Sequence, residues 1–175
     1  VFLMVGTITQ RKGHDFALDV FEKLWAAGAD VKLAVAGKNW YYDEFIARMV
    51  EHGEYGRRLF WLDNPTDAEI DYCYSCAAAL LYPSAAEGFG LPLVEAAAHG
   101  LPVICSDIPV FREVAREFAT YFSLDDPQQL ADILSTWSGR PAHPDAGRMP
   151  RLSWAQSAEQ VIDMIIYDKW YKILP

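Results

Sequence analysis

The sequence predicts an α/β protein: a Rossmann-like, doubly wound parallel sheet of about six strands with helices on both faces. Two observations carry this. Short apolar runs alternate with amphipathic stretches along most of the chain. Several of those runs are apolar on both sides, as strands covered by helices on both faces must be. Repeated strand–helix alternation implies successive right-handed crossovers, and these build a parallel sheet. At 175 residues the chain suits one domain, spanning 1–175, that buries about 70% of the surface its unfolded form would expose.

The apolar runs Val1–Val5, Val31–Ala36, Leu59–Leu62, Ala78–Tyr82, Pro102–Cys105 and Thr120–Phe122 read as strands. The stretches between them, His14–Ala27, Tyr42–His52, Asp67–Cys76, Leu91–His99 and Val110–Arg116, read as helices. In the first helix Phe16, Val20, Phe21, Leu24 and Trp25 recur at three-four spacing, with Asp19, Glu22 and Lys23 opposite. Thr66-Asp67-Ala68-Glu69 has the form of a capping box, and Gly28, Gly53 and Gly100 sit where helices stop. The pattern then changes. Asp126-Pro127 opens a helix to about Trp137, with an N-cap and a first-turn proline. Ser138–Ser153, rich in Pro and Gly, reads as a loop. A last helix begins near Trp154, with Ala158, Val161, Ile162, Ile165 and Ile166 on one face and an aromatic cluster, Trp170-Tyr171, at its end. Residues 154–175 either pack on their own domain or dock on a neighbour. The chain opens inside an apolar run without an initiator Met, as expected of a domain belonging to a longer protein.

Composition excludes several classes. With 52% hydrophobic and 22% charged residues the chain is too apolar to be disordered. No apolar run approaches the ~20 residues a membrane-spanning helix needs. Net charge is −9, carried wholly by residues after 60, and this opposes a nucleic-acid backbone as partner. The first 60 residues balance eight acids with eight bases, enough to supply the two or three cations a small anion requires. Cys73, Cys76 and Cys105 are too few and odd in number for a disulfide scaffold, and Cys73-Tyr-Ser-Cys76 lacks the second pair of a zinc site. They are expected to be buried, structural residues.

In a sheet of this kind ligands bind at the carboxyl ends of the strands. After the first strand, Gly6-Thr7-Ile8-Thr9-Gln10-Arg11-Lys12-Gly13 brackets two adjacent cations between glycines just before a helix. Glycine lets backbone approach a ligand, and a helix start beside Arg11 and Lys12 suits a phosphate, although a solvated turn has the same composition. Neither the P-loop order nor the dinucleotide fingerprint is present, which removes a nicotinamide-dependent oxidoreductase from consideration. After the fourth strand, Pro83-Ser84-Ala85-Ala86-Glu87-Gly88-Phe89-Gly90-Leu91-Pro92-Leu93-Val94-Glu95 places one acid in the loop and one in the following helix. Two acids near a helix start complement its dipole, but that does not explain Gly88 and Gly90 flanking Phe89. Backbone donors beside hydroxyl-accepting carboxylates and a nearby cation pair describe a site for a sugar joined to a diphosphate. Ser106-Asp107-Ile108-Pro109 follows the fifth strand at the same edge.

Tyr82–Glu95, continued by Ala96-Ala97-Ala98-His99-Gly100-Leu101-Pro102-Val103-Ile104, resembles the E-x7-E signature of family 4 glycosyltransferases. Val5-Gly6, Lys12-Gly13, Ala36-Gly37 and Glu113-Val114 fall where that family has similar residues. The resemblance is dense over residues 1–125. It implies the C-terminal, donor-binding half of a GT-B fold in a retaining enzyme that transfers a hexose to a glycan acceptor. It further implies that Glu87 holds hydroxyls of the donor sugar, that Glu95 holds the ribose, and that Lys12 stabilises the leaving diphosphate. Gly6, Thr7, Gly88, Phe89, Gly90 and Leu91 would lie against the nucleotide sugar. No metal and no cofactor is expected. Many members carry an arginine where Thr7 stands, and Arg11 is the substitute within reach. The family's acceptor site and reacting-centre histidine belong to an N-terminal domain that this chain lacks, and none of His14, His52, His99 or His143 takes that place. The isolated domain is therefore expected to be inactive. By analogy with members that share a Gly-Thr-Ile start, GDP-mannose is expected ahead of UDP-sugars, with base selectivity in the loops near Gly37–Trp40 and Leu62–Asn64. The expected location is cytoplasmic, with any membrane contact peripheral and made through the full-length protein. The competing reading is a degenerate Rossmann-like domain kept for interaction; Glu87, Glu95 and Lys12 together speak against it.

Overall fold

The computed structural model describes residues 1–139 and 142–167. Six strands, β1 (Phe2–Val5), β2 (Leu33–Ala36), β3 (Leu59–Leu62), β4 (Ala79–Tyr82), β5 (Val103–Ser106) and β6 (Thr120–Phe122), form one sheet in the order β3-β2-β1-β4-β5-β6. Every pairing is parallel. The helices are α1 (His14–Ala26), α2 (Asp43–Val50), α3 (Asp67–Cys76), α4 (Leu91–Ala98), α5 (Pro109–Ala115), α6 (Pro127–Thr136) and α7 (Trp154–Tyr167).

Alternation along the strands divides the core in two. Phe2 and Met4 of β1 face Val20, Phe21 and Leu24 of α1, Phe45 and Met49 of α2, and Leu130 and Leu134 of α6. Leu3 and Val5 face the opposite layer, built from Tyr74 of α3, Leu93 and Ala97 of α4, and Phe111 of α5. Strands β1, β4 and β5 are buried along their whole length, which explains their unbroken apolar runs. The helix signals act as their chemistry requires. Thr66 accepts from Glu69 N–H while the Glu69 carboxylate accepts from the Thr66 N–H, and the Asp126 side chain accepts from Gln129 N–H.

Three expectations are corrected. The second strand begins at Leu33 rather than Val31. The segment 138–153 is not wholly irregular, since it contains short 3-10 turns, one of which buries Ala146. Cys105 is buried, but Cys73 is only half-buried and Cys76 is exposed. Helix α3 buries only Tyr74, and at ~100° per residue Cys76 falls on the far side of the helix from it. The expected apolar side of α7 exists, yet Val161, Ile162, Ile165 and Ile166 are exposed and none of them joins either core layer. The aromatic cluster at Trp170-Tyr171 lies outside the described residues.

Candidate functional site

The strand order places β1 between β2 and β4, so the chain leaves β1 toward α1 on one face of the sheet and leaves β4 toward α4 on the other. A crevice opens where neighbouring loops diverge in this way. Here it is an open cleft of about 410 Å³, lined by Gly6, Thr7 and Lys12 from the first loop and by Tyr82, Glu87, Phe89, Gly90, Leu91 and Glu95 from the β4–α4 segment.

The two loops are stitched together by short contacts. Ala85 N–H donates to the Arg11 carbonyl at 2.9 Å. The buried Ser106 hydroxyl donates to the Ser84 carbonyl at 2.5 Å, tying β5 to the same loop. Gly13, at φ 71°, lies so near Pro83 that a Cβ there would stand 2.1 Å from its carbonyl oxygen. Only glycine allows both that backbone conformation and that approach. On the other flank, a Cβ on Gly37 would meet the Gly6 carbonyl oxygen at 2.0 Å, so the β1 and β2 loops touch through backbone alone.

Glu87 sits at the centre with 9% of its side chain exposed. Its Oε1 accepts from Lys12 Nζ at 2.8 Å, from Tyr82 OH at 2.9 Å and from Ser84 Oγ at 2.7 Å. Its Oε2 meets Arg11 at 2.9 Å, and Arg11 also donates to the Ala86 carbonyl. Lys12 Nζ donates to Tyr82 OH at 2.5 Å and lies over the ring of that tyrosine. Burial works to raise the Glu87 carboxyl pKa, but hydrogen bonds from Lys12, Ser84 and Arg11 and the Lys12 charge outweigh it and bring it down to about 2. Burial, and then the Glu87 carboxylate, pushes the Tyr82 phenol well above its ordinary value, so it remains a donor. Two cations against one carboxylate leave this point positive within a chain of net charge −9.

Glu95 projects from α4, whose first turn contains Pro92 and whose N-cap, Gly90, is left-handed at φ 95°. Its Oε2 accepts from Tyr74 OH at 2.7 Å, a bond across from α3 to α4. The Tyr74 ring stacks on His99, with centroids 5.2 Å apart. His14 opens α1 beside the cation loop, buried, with Nδ1 donating to the Thr9 carbonyl at 3.3 Å. Burial, against that hydrogen bond, brings its pKa down to about 4.

The structure thus gathers Gly6, Thr7, Lys12, Glu87, Phe89, Gly90, Leu91 and Glu95 in one cleft. Gly88 does not line it, and Arg11, half exposed, reaches Glu87 from outside it. Sequence reasoning missed Tyr82, Ser84 and Tyr74. Tyr82 and Ser84 flank Pro83 in the segment already singled out, and a hydroxyl at the end of an otherwise apolar strand was the available signal. Among the described residues no cluster of three or more His, Cys, Asp or Glu is arranged to hold a metal ion, and no helix is long and apolar enough to cross a membrane.

The sequence model of the family described as glycosyl transferases group 1 matches residues 1–145. The chain is 43% identical over 162 residues to the serotype-specific mannosyltransferase WbdA of Escherichia coli, covering 90% of this chain and 20% of that protein. It is 34% identical over 162 residues to the O-antigen chain mannosyltransferase RfbU of Salmonella typhimurium, covering 86% and 45%. The chain therefore spans about a fifth of the first relative and less than half of the second. In fold it is similar to the C-terminal domain of a glycosyl transferase group 1 family protein (LpcC) from Francisella tularensis, with TM-score 0.65, 24% identity, and 79% and 75% of the two chains covered.

Proposed function

From the premise that this chain belongs to the group 1 glycosyl transferases, with the α/β fold of a GT-B glycosyltransferase domain, we propose that it is the donor-binding half of a retaining hexosyltransferase. The donor in this reading is a nucleoside diphosphate sugar, GDP-mannose first among them because the relatives quoted above are mannosyltransferases, and the acceptor is a glycan. The observation that carries the reading is the Lys12–Glu87 pair at the switch point, with Glu95 in the same cleft.

Lys12, with Arg11 behind it, would face the diphosphate, and the positive end of the α4 dipole would lie at the same cleft. As the bond between the sugar and the diphosphate breaks, charge grows on the leaving oxygen, and the fixed ammonium opposes it without reorganisation. Because these groups supply the positive charge, the proposal needs no metal. Glu87 would turn its carboxylate to sugar hydroxyls once Lys12 engages phosphate, and Glu95 would accept from the paired ribose hydroxyls. Gly6 and Thr7 would let the backbone pass beside the phosphates. Transfer itself requires the acceptor-binding domain, and the whole protein would work in the cytoplasm with any membrane contact peripheral.

Calorimetric titration with GDP, UDP, ADP and NADH in EDTA tests the reading. Saturable binding of one nucleoside diphosphate is expected, weakened by Glu95→Ala by about 1.5–3 kcal/mol, the loss of a charge-assisted hydrogen bond. Binding of NADH alone, or an unchanged affinity in Glu95→Ala, overturns it.

A further inference from the structure

Helix α3 buries a single residue, Tyr74, and that residue has a polar tip. Its side chain lies in the core layer of Leu80, Leu93 and Ala97, with 2% of the residue exposed. A phenol buried this deeply needs a partner for its hydroxyl, and the partner is Glu95 Oε2 at 2.7 Å. Burial, and then the hydrogen bond to Glu95, push the phenol well above its ordinary value, so it stays a donor. The ring is clamped as well. It stacks on His99, at the C-cap of α4, with planes 16° apart, and His99 Nε2 lies 3.4 Å from Asp71 Oδ1, three residues earlier on α3. Asp71 and Tyr74 of one helix therefore face His99 and Glu95 of the other, each pair at the spacing that shares a helix face.

Glu95 itself is exposed and lines the donor cleft. An exposed glutamate turns freely about its side-chain bonds and must be ordered when a ligand arrives, which weakens binding. The Tyr74 hydroxyl orders it in advance from the buried side. That bond engages Oε2 alone; Oε1 accepts from none of the described residues, and Oε2 keeps a second lone pair. An anchored carboxylate thus offers acceptor sites at a fixed position, as two neighbouring hydroxyls of one sugar require.

We propose that Tyr74 is a positioning residue for the nucleotide: by anchoring Glu95 Oε2 it fixes the carboxylate for a sugar with two vicinal hydroxyls, and so makes the site select ribonucleotides over 2′-deoxyribonucleotides. This rests on the donor-binding reading above, in which Glu95 meets the ribose.

The test titrates the full-length protein with GDP, UDP and ADP and with the 2′-deoxy counterpart of each. For the nucleotide that binds, the wild type is expected to prefer the ribose form by about tenfold or more. Tyr74→Phe removes one oxygen and keeps the ring with its stacking on His99. It should weaken the ribose form by about five- to tenfold, leave the 2′-deoxy form within about twofold, and raise the donor KM at nearly constant kcat, as loss of a contact remote from the reacting bond does. In a Glu95→Ala background the same substitution should change nothing further. Equal weakening of both forms, or a loss that adds to that of Glu95→Ala, makes Tyr74 a packing residue and overturns the proposal. An unchanged preference in Tyr74→Phe, or a wild type that binds both forms equally, overturns it while nucleotide binding still supports the donor reading. His99→Ala, at a partly exposed position, covers the case in which Tyr74→Phe does not fold. It keeps the hydroxyl and removes the clamp, so the ribose preference should fall by about two- to threefold, and an unchanged preference there overturns the proposal. Absence of nucleotide binding in wild type removes the donor reading, and this inference with it.

Discussion

Lys12 and Arg11 are already neutralised in part by Glu87, so an incoming diphosphate must compete with a carboxylate 2.8 Å from the lysine nitrogen. Glu87→Gln removes that competitor while keeping the shape of the side chain. The expected result is tighter binding of nucleoside diphosphate, by up to about tenfold or ~1.4 kcal/mol, together with a large loss of transfer from the nucleotide sugar. Equal weakening of both would show that Glu87 acts only as a structural anchor. The same pair sets an acid sensitivity. A carboxyl lowered to about 2 contributes stability that is complete above its ordinary value of 4.5 and is lost as pH falls through about 2. His14 acts in a higher window. Held neutral with its pKa brought down to about 4, it favours unfolding wherever the unfolded ring is protonated and the folded one is not, so stability falls as pH drops from 6.5 toward 4. Urea titrations at stepped pH should show both slopes, with His14→Phe flattening the upper one and Glu87→Gln the lower one. At this scale the sequence disclosed Lys12, Glu87 and Glu95 because each sits in a loop of unusual composition. It could not disclose the Tyr74–Glu95 bond, which joins residues 21 apart on different helices. Nor could it separate the half-buried Cys73 from the exposed Cys76, since α3 carries too little apolar pattern to declare its inner face.

Among the elements, the loops after β1, β2 and β4 work as one unit because glycine backbone meets backbone at Gly13, against Pro83, and at Gly37, against Gly6. Gly13→Ala places a methyl group 2.1 Å from the Pro83 carbonyl oxygen at a left-handed φ, so one of the two loops must move. The expected cost exceeds about 2 kcal/mol, with nucleotide affinity lost in proportion to the displaced Lys12, measured by urea unfolding and calorimetry together. Thr66→Ala provides the contrast. It removes the capping box that opens α3 and introduces no clash, and should cost about 1 kcal/mol in urea unfolding. Helix starts were readable because capping is local chemistry, as at Thr66 and Asp126. Gly13 and Gly37 were readable only as glycines, since what each one touches is set by sheet order rather than by its neighbours in the chain.

For the whole molecule, alternation of strands and helices foretold a parallel sheet, and the order β3-β2-β1-β4-β5-β6 adds why the site lies between β1 and β4. It left the role of the last helix open, and among the described residues the apolar side of that helix is exposed. Val161, Ile162, Ile165 and Ile166 repeat at helical spacing, yet Ile165 and Ile166 are 74% and 66% exposed and belong to neither core layer. An amphipathic stripe normally reports burial against its own domain; here the described residues of that domain do not cover it. Burial energy and unfolding stability should therefore separate. Replacing Ile162 and Ile166 by Ser removes apolar surface that is already in water, so the unfolding temperature of this chain should shift by less than about 2 °C, where a core Ile or Leu truncation costs ~2–5 kcal/mol. Binding of a hydrophobic dye to the native protein should fall in the same variant. A drop in unfolding temperature comparable with that of Leu93→Ala, a fully buried position of α4, would instead mean that the stripe packs on this domain in solution.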